Sequence, residues 1–294
     1  MIEITNEQIF LTVVEAGSFK GAAESLAMDP SLISRRVASL EKRLNVKLME
    51  RSTKQSTPTE QGQRYYQGLK TLFEEKQVLE SIVCGSANVP TGHLKVAAPH
   101  DFGVEFVMQV LECMADHYPK LTVELVLGSQ YENLQTQGID VAVRIGELPD
   151  SSLICRRIGN VPRVLVASKG YIARYGEPTT VAQLDNHHFI FYAKSHMNEP
   201  IKIGNQSIVL KGKFVANSVS AIRQMVMNDQ GMHIGPIWAF KKEIMQGNLV
   251  KVLPQERFTS SPLHALYVSR AYVPAKVRVF IDALIEKYGS GEFD

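Results

Sequence analysis

The sequence predicts an α/β protein carrying an N-terminal all-α winged helix-turn-helix. Three observations lead there. Residues 6–85 have apolar positions at helical spacing, residues beyond 91 alternate short apolar strands with amphipathic helices, and the basic residues cluster near one end. With 294 residues, 45% of them hydrophobic and 21% charged, the chain can bury more than one core. The expected organisation is a winged helix-turn-helix over 1–58, a linker helix and hinge over 59–91, and an α/β region over 92–294.

The whole-chain charge of +2 identifies no partner by itself. Its distribution does. Between Ser31 and Lys54 stand Arg35, Arg36, Lys42, Arg43, Lys47, Arg51 and Lys54 against only Glu41 and Glu50, so this segment is more positive than the whole chain. A basic patch of this kind is an electrostatic footprint for an anionic polymer.

The helices follow in order. Ile9, Phe10, Val13 and Val14 recur at helical spacing, and Gly17-Ser18 ends that run. Ser18 suits the N-cap of a short helix through Ala22, Ala23 and Leu26. A tight turn over Ala27–Asp29 leads to a third helix, with Asp29 as N-cap and Pro30 in its first turn. Ile33, Val37, Leu40 and Leu44 form its apolar stripe, and Ser31, Ser34, Arg35 and Arg36 face away. Hydroxyls and guanidinium groups at the start of a second helix are what major-groove recognition needs. Residues 46–58 are too short and irregular for another helix and fit a two-stranded wing, with Lys54 near its turn.

Thr59 caps a long helix reaching about Cys84. Tyr65, Leu69, Leu72, Lys76, Leu79 and Val83 are spaced four, three, four, three, four. That is a heptad seam, expected to pair with a second copy rather than with its own domain. Residues 86–91 read as a hinge.

Beyond the hinge, Leu94–Ala98, Leu121–Leu127 and Val141–Ile145 read as strands, with helices over Phe102–His117 and Tyr131–Gln137 between them. The βαβαβ order implies a parallel sheet. Further strands are expected at Val164–Ala167, Phe189–Tyr192, Val215–Asn217 and Leu266–Val268. Helices are expected at Ser218–Asp229, Ile237–Met245 and Pro274–Tyr288.

The motifs carry a family resemblance. F-x-x-V-x-E-x-G-S-F from Phe10, A-A-x-x-L from Ala22, S-x-x-S-R from Ser31, L-E-x-x-L-x-V-x-L from Leu40, then Glu50-Arg51 and T-E-x-G from Thr59 resemble the winged helix-turn-helix of LysR-type transcriptional regulators. The segments GHLKVAAP, YPKLTVEL and GIDVAVRIGELPDSSL resemble that family's effector-binding region. Departures are Pro30 where many members carry Gln, Asn45 for a common Gly, and Met49 for a common Phe.

The resemblance implies two α/β subdomains of periplasmic-binding-protein type, about 92–160 with 266–294 and about 161–265. It also implies binding of operator DNA as a homodimer, with pairing of the sensing domains giving a homotetramer, and RNA polymerase as a further partner. The DNA-contacting candidates are Ser18, Ser31, Ser34, Arg35, Arg36, Arg51 and Lys54; the dimer-seam candidates are Tyr65, Leu69, Leu72, Leu79 and Val83.

In open α/β sheets, ligands sit at the carboxyl ends of strands beside helix N-termini. That rule selects His100, Asp101, Ser129, Gln130, Arg144 and Gly146 in the first subdomain, and Asn217, Ser218, Val219 and Ser220 in the second. The N–H groups and hydroxyls of the second set suit an anion, although Ser218 reads first as a helix cap. The effector's identity stays open.

Other chemistries lack their signatures. No HExxH, CxxC, GxSxG or phosphate-loop motif occurs, so neither a metal, a cofactor nor an enzyme activity is expected. His187, His188 and His196 read as a surface loop. Cys84, Cys113 and Cys155 suggest no disulfide framework, and Cys113 and Cys155 read as buried thiols. The N-terminus has no secretory pattern and no apolar run is long enough for a membrane span, so a cytoplasmic location is expected.

Overall fold

The computed structural model describes residues 4–51, 56–83, 89–128, 134, 137–197, 199–268 and 273–293. Two compact units emerge, one over Met1–Asn88 and the other over Val89–Ser269 with Lys276–Asp294.

In the first unit, α1 (Asn6–Glu15), α2 (Phe19–Leu26) and α3 (Pro30–Leu44) precede a wing of β1 (Met49–Arg51) and β2 (Ser56–Pro58) and the long α4 (Glu60–Val83). Ile9, Phe10, Val13, Ala22, Ala23, Ile33, Val37 and Leu40 close the core at helical spacing. The helix ends follow from local chemistry. Thr5 caps α1 in a reciprocal box with Gln8. Ser18 Oγ accepts the Gly21 N–H at 3.0 Å, and Asp29 Oδ1 accepts the Ser31 N–H at 2.8 Å. Ala27 and Asn45 end α2 and α3 in the left-handed conformation, at φ 50° and 53°. Asn adopts that conformation more readily than other side-chain-bearing residues, which suits Asn45 to this position.

The T-E-x-G motif has a steric cause. A Cβ at Gly62 would lie 1.9 Å from the Leu48 carbonyl oxygen, so only glycine lets α4 start against the wing. Glu41 is the wing's anchor. Its buried carboxylate accepts the N–H groups of Leu48 (2.8 Å) and Met49 (3.2 Å) and the Lys47 ammonium (3.2 Å). Burial pushes its carboxyl up, but these donors together hold it below the ordinary value.

The expected seam on α4 divides in two. Leu69 is buried and Tyr65 packs on the first unit's own core, with its ring 5.9 Å from that of Phe10. These two are core residues, because the first turns of α4 lie against α1. Leu72, Leu79 and Val83 are exposed, at 62%, 45% and 79%.

In the second unit, β3 (Gly92–Ala98) leads into one helical run. This comprises α5 (His100–Phe102), a π-helical turn (Gly103–Val107) and α6 (Met108–His117). Then come β4 (Leu121–Leu127), β5 (Val141–Ile145) and β6 (Leu153–Val161). The five-stranded sheet runs β4-β3-β5-β14-β6, with β14 at Ser261–Val268. Only β4, β3 and β5 are parallel; β14 runs antiparallel to both β5 and β6. The sheet is therefore mixed, because β6 leaves this layer and β14 returns to it.

Between them lies a second α/β layer. It holds β7 (Arg163–Ser168), α7 (Lys169–Tyr175), β8 (His188–Phe191), the hairpin β9 (Pro200–Ile203) and β10 (Gln206–Val209), and β11 (Lys211–Val215). It continues through α8 (Val219–Met227), β12 (His233–Pro236), α9 (Ile237–Met245) and β13 (Leu249–Lys251). β7 is central, antiparallel to β12 and β13, and β8 pairs with β11 in parallel. The strand expected at Val215–Asn217 ends at Val215, because Ser218 begins the cap of α8. The closing helix α10 (Ala275–Tyr288) is tied to the first layer by Lys276, whose ammonium meets Asp140 at 3.0 Å in a buried pair.

Two local expectations are corrected, at the cysteines and at His187. Cys113 and Cys155 are exposed. Cys113 falls on the side of α6 opposite Val110, Leu111 and Met114, and Cys155 lies on the edge strand β6. His187 is buried against Tyr171, whose ring centroid is 5.8 Å away. The helix expected at Tyr131–Gln137 falls largely outside the described residues. Among the described residues, no helix is long and apolar enough to cross a membrane.

Candidate DNA-binding face and effector cavity

The outer side of α3 is built by what the inner side consumes. Ile33, Val37 and Leu40 are buried, which turns Ser31 and Arg35 to solvent and leaves Ser34 half-buried. Arg35 is exposed, and its Nε reaches only the Ser31 carbonyl, at 3.4 Å. The other basic residues divide. Arg36 donates to Asn6 Oδ1 at 3.0 Å, and Arg43 pairs with Glu7. Both therefore join α3 to α1, and Lys47 is engaged by Glu41. The basic patch counted along the sequence is smaller in space. The Ser18 hydroxyl is likewise committed, as the cap of α2. Arg51 ends β1, and Lys54 lies outside the described residues. The N-terminus of α3 is capped by the Asp29 carboxylate.

In the second unit a cavity of about 470 Å³ lies between the two layers. Of the candidate effector residues, Asp101, Gly146 and Val219 line it. His100, Arg144, Asn217, Ser218 and Ser220 do not belong to that lining, and Ser129 and Gln130 lie outside the described residues. Sequence reasoning missed Phe102, Arg163, Tyr192, His233 and Trp238, which all line it.

The N-terminus of α8 was expected to present free N–H groups. They are taken. Asp101 Oδ2 accepts the Val219 N–H at 2.7 Å, and Oδ1 accepts the Ser220 N–H at 3.1 Å together with the Ser220 hydroxyl. Ser218 is the ordinary cap, its Oγ accepting the Ala221 N–H at 3.3 Å. The first layer thus supplies a carboxylate that clasps the second. Burial raises the Asp101 carboxyl, but the Ser220 and Val219 donors outweigh it and hold the group below its ordinary value. Ser220 therefore faces Asp101. Tyr192, near both Asp101 and Arg144, has its hydroxyl pushed up mainly by burial.

A winged helix-turn-helix with an exposed basic helix, joined to two α/β layers around a cavity, defines a ligand-responsive DNA-binding regulator. Residues 5–63 match the bacterial regulatory helix-turn-helix proteins of the lysR family, and residues 87–289 match the LysR substrate binding domain. The chain belongs to the LysR-type transcriptional regulators. It is 34% identical over 292 residues to the HTH-type transcriptional activator AaeR of Escherichia coli, covering 98% of this chain and 94% of that protein. It is 30% identical over 295 residues to the regulator CrgA of Neisseria meningitidis, covering 96% of each. The solved structure of CrgA superposes with a TM-score of 0.61 at 28% identity, over 97% of this chain and 98% of that one. Full-length AphB of Vibrio cholerae, a virulence activator, gives 0.58 at 28% identity, over 96% and 98%.

Proposed function

We propose that this regulator reads its operator through the first turns of α3. Ser31, Ser34 and Arg35 would enter the major groove, Arg51 and Lys54 would hold flanking phosphates, and an effector in the 470 Å³ cavity would govern the outcome. The observation that carries this is the division of the basic residues: Arg36 and Arg43 are spent on α1, and Arg35 stands exposed. Arg can pair with guanine O6 and N7 in a two-bonded contact. The chain acts as a homodimer seamed by Leu72, Leu79 and Val83, whose exposed apolar side chains call for a partner. Pairing of the sensing units would extend this to a tetramer. The setting is the cytoplasm, and the role is regulation rather than catalysis; relatives matched along their whole length are named as regulators.

Mobility-shift titration at several salt concentrations tests the DNA reading. Arg35→Ala should weaken operator binding by about 10- to 100-fold, in line with roughly 1–3 kcal/mol for one base contact, and leave binding to unrelated DNA less affected. Equal affinity of the variant and the parent for operator would refute it. Val219→Trp, which adds bulk to the cavity lining, should keep operator binding and abolish its response to small molecules.

A further inference from the structure

We propose that the first layer carries an oxyanion site outside the cavity, where Arg144, His264 and Arg157 stand side by side across three strands and take a dianion of the sulfate or phosphate type.

The row follows from the strand register. His264 on β14 is directly opposite Arg144 on β5 and directly opposite Arg157 on β6, and both pairings are antiparallel. Residues opposite each other in antiparallel strands share a face, with Cβ atoms about 4.5–5.5 Å apart. The two arginines therefore start from backbone roughly 10 Å apart, two strand spacings, and both can reach a ligand centred over the imidazole. An irregularity in β6 builds this arrangement. Leu263 pairs with Gly159 and His264 with Arg157, so Ile158 is an extra residue in the ladder. Bulges of this kind re-aim side chains. Without it Ile158, not Arg157, would stand opposite His264. Arg156 points to the other face, where its guanidinium meets Asp282 of α10 at 3.1 Å. None of the three residues in the row lines the cavity.

The row is electrostatically incomplete. Two permanent cations flank His264, and like charges at facing strand positions are destabilising. Among the described residues, the exposed Arg157 donates to Asn160 Oδ1 at 2.6 Å and meets no carboxylate within ion-pair distance. His264 carries a buried Nδ1 with no hydrogen-bond partner among the described residues. Glu147, exposed just past β5, favours the charged imidazole, but burial and Arg157 outweigh it and hold the ring below its ordinary value. A neutral imidazole still has one N–H to donate. An oxyanion between the arginines gives that N–H an acceptor and the row a counter-charge. Guanidinium forks match the paired oxygens of such an anion, which a halide does not offer.

The test is isothermal titration calorimetry of the full-length protein with sodium sulfate, chloride keeping the ionic strength constant. Sulfate should bind saturably at one site per chain, with phosphate competing and chloride not. Arg157→Gln should weaken it by about 10-fold or more, the usual scale for a hydrogen bond to a charged group, with circular dichroism unchanged. Arg157→Lys, which keeps the charge but loses the fork, should retain part of the affinity. Arg156→Gln, one residue away on the other face, should bind as the parent does. So should Val219→Trp, whose substitution lies in the cavity. Sulfate keeps its double charge at mildly acidic pH. Its binding should therefore tighten as pH falls through the lowered imidazole value, because protonated His264 joins Arg144 and Arg157 against the lone acid Glu147; His264→Gln should remove that dependence. The assignment is overturned by absence of saturable sulfate binding in the parent, by equal competition from chloride, or by equal losses in Arg156→Gln and Arg157→Gln. Loss of binding in Val219→Trp would overturn it too, by moving the anion into the cavity.

Discussion

The helices α3 and α8 start alike in the sequence and are completed differently in the structure. Each begins after a short polar cap, Asp29 for α3 and Ser218 for α8. The N-terminus of α3 is served from two residues away, by Asp29, beside the exposed Ser31. That of α8 is served locally by Ser218 and again by Asp101, 118 residues earlier in the chain. Both ends are met by a carboxylate of this chain; that of α3 is its own cap, Asp29, and that of α8 comes from the other layer, Asp101. The difference separates a helix end completed within its own turn from one that ties two layers together.

The largest effect expected from this contrast is that of Asp101→Asn. An amide has one acceptor oxygen, so it cannot accept from Val219 and Ser220 on separate atoms, and its NH₂ would face a donor. Loss of a charge-assisted contact of this kind costs about 1–2 kcal/mol once the partial exposure of the site is allowed for. Urea unfolding of the second unit would show it as a lower midpoint at unchanged slope. A midpoint equal to the parent's would mean that the clasp contributes nothing to stability. Ser220→Ala comes next. It removes the hydroxyl donor but keeps both N–H bonds, so about half that loss is expected in the same measurement.

Acid should separate the two layers by the same chemistry. The Asp101 carboxyl is depressed in the folded protein. Its contribution is therefore present above the unfolded carboxylate value of about 3.9 and is lost as pH falls through the lower folded value. In the parent, stability of the second unit should decline across this window partly through Asp101, and the decline should be shallower in Asp101→Asn. Parallel curves for the two proteins would show that other carboxylates account for it.

The same contrast explains what the sequence revealed. The start of α3 at Asp29-Pro30, its end at Asn45 and the helix Ile237–Met245 were legible because caps and periodicity are written within a few residues. The clasp was not, because nothing near Ser220 names Asp101 as its partner. Tyr65 and Leu69 share heptad spacing with Leu72 and Leu79, but spacing does not say which face meets α1. The strand Leu153–Val161 has no clean alternation, since Cys155, Arg156 and Arg157 are all exposed; β14 makes it a strand from a hundred residues away. The hairpin at Gly204-Asn205 did carry a readable two-residue turn signal.

The smallest effect on folding is expected at the start of α3. Asp29→Asn keeps a side-chain oxygen for the Ser31 N–H, and Asn caps helices as well as Asp does. The melting temperature should be unchanged, unlike that of Asp101→Asn. The effect should appear in DNA binding instead. Asp29 holds its negative charge firmly, because the Ser31 hydroxyl and N–H keep its carboxyl below the ordinary value. At the entry of a helix proposed to enter the major groove, that charge opposes nearby phosphates. Removing it should tighten binding to operator and to unrelated DNA alike, most clearly at low salt, where screening is weakest. A variant with parental melting and parental affinity at every salt concentration would put Asp29 away from the phosphate backbone. A variant that melts early would show that the cap, and not the charge, is what α3 requires of this residue.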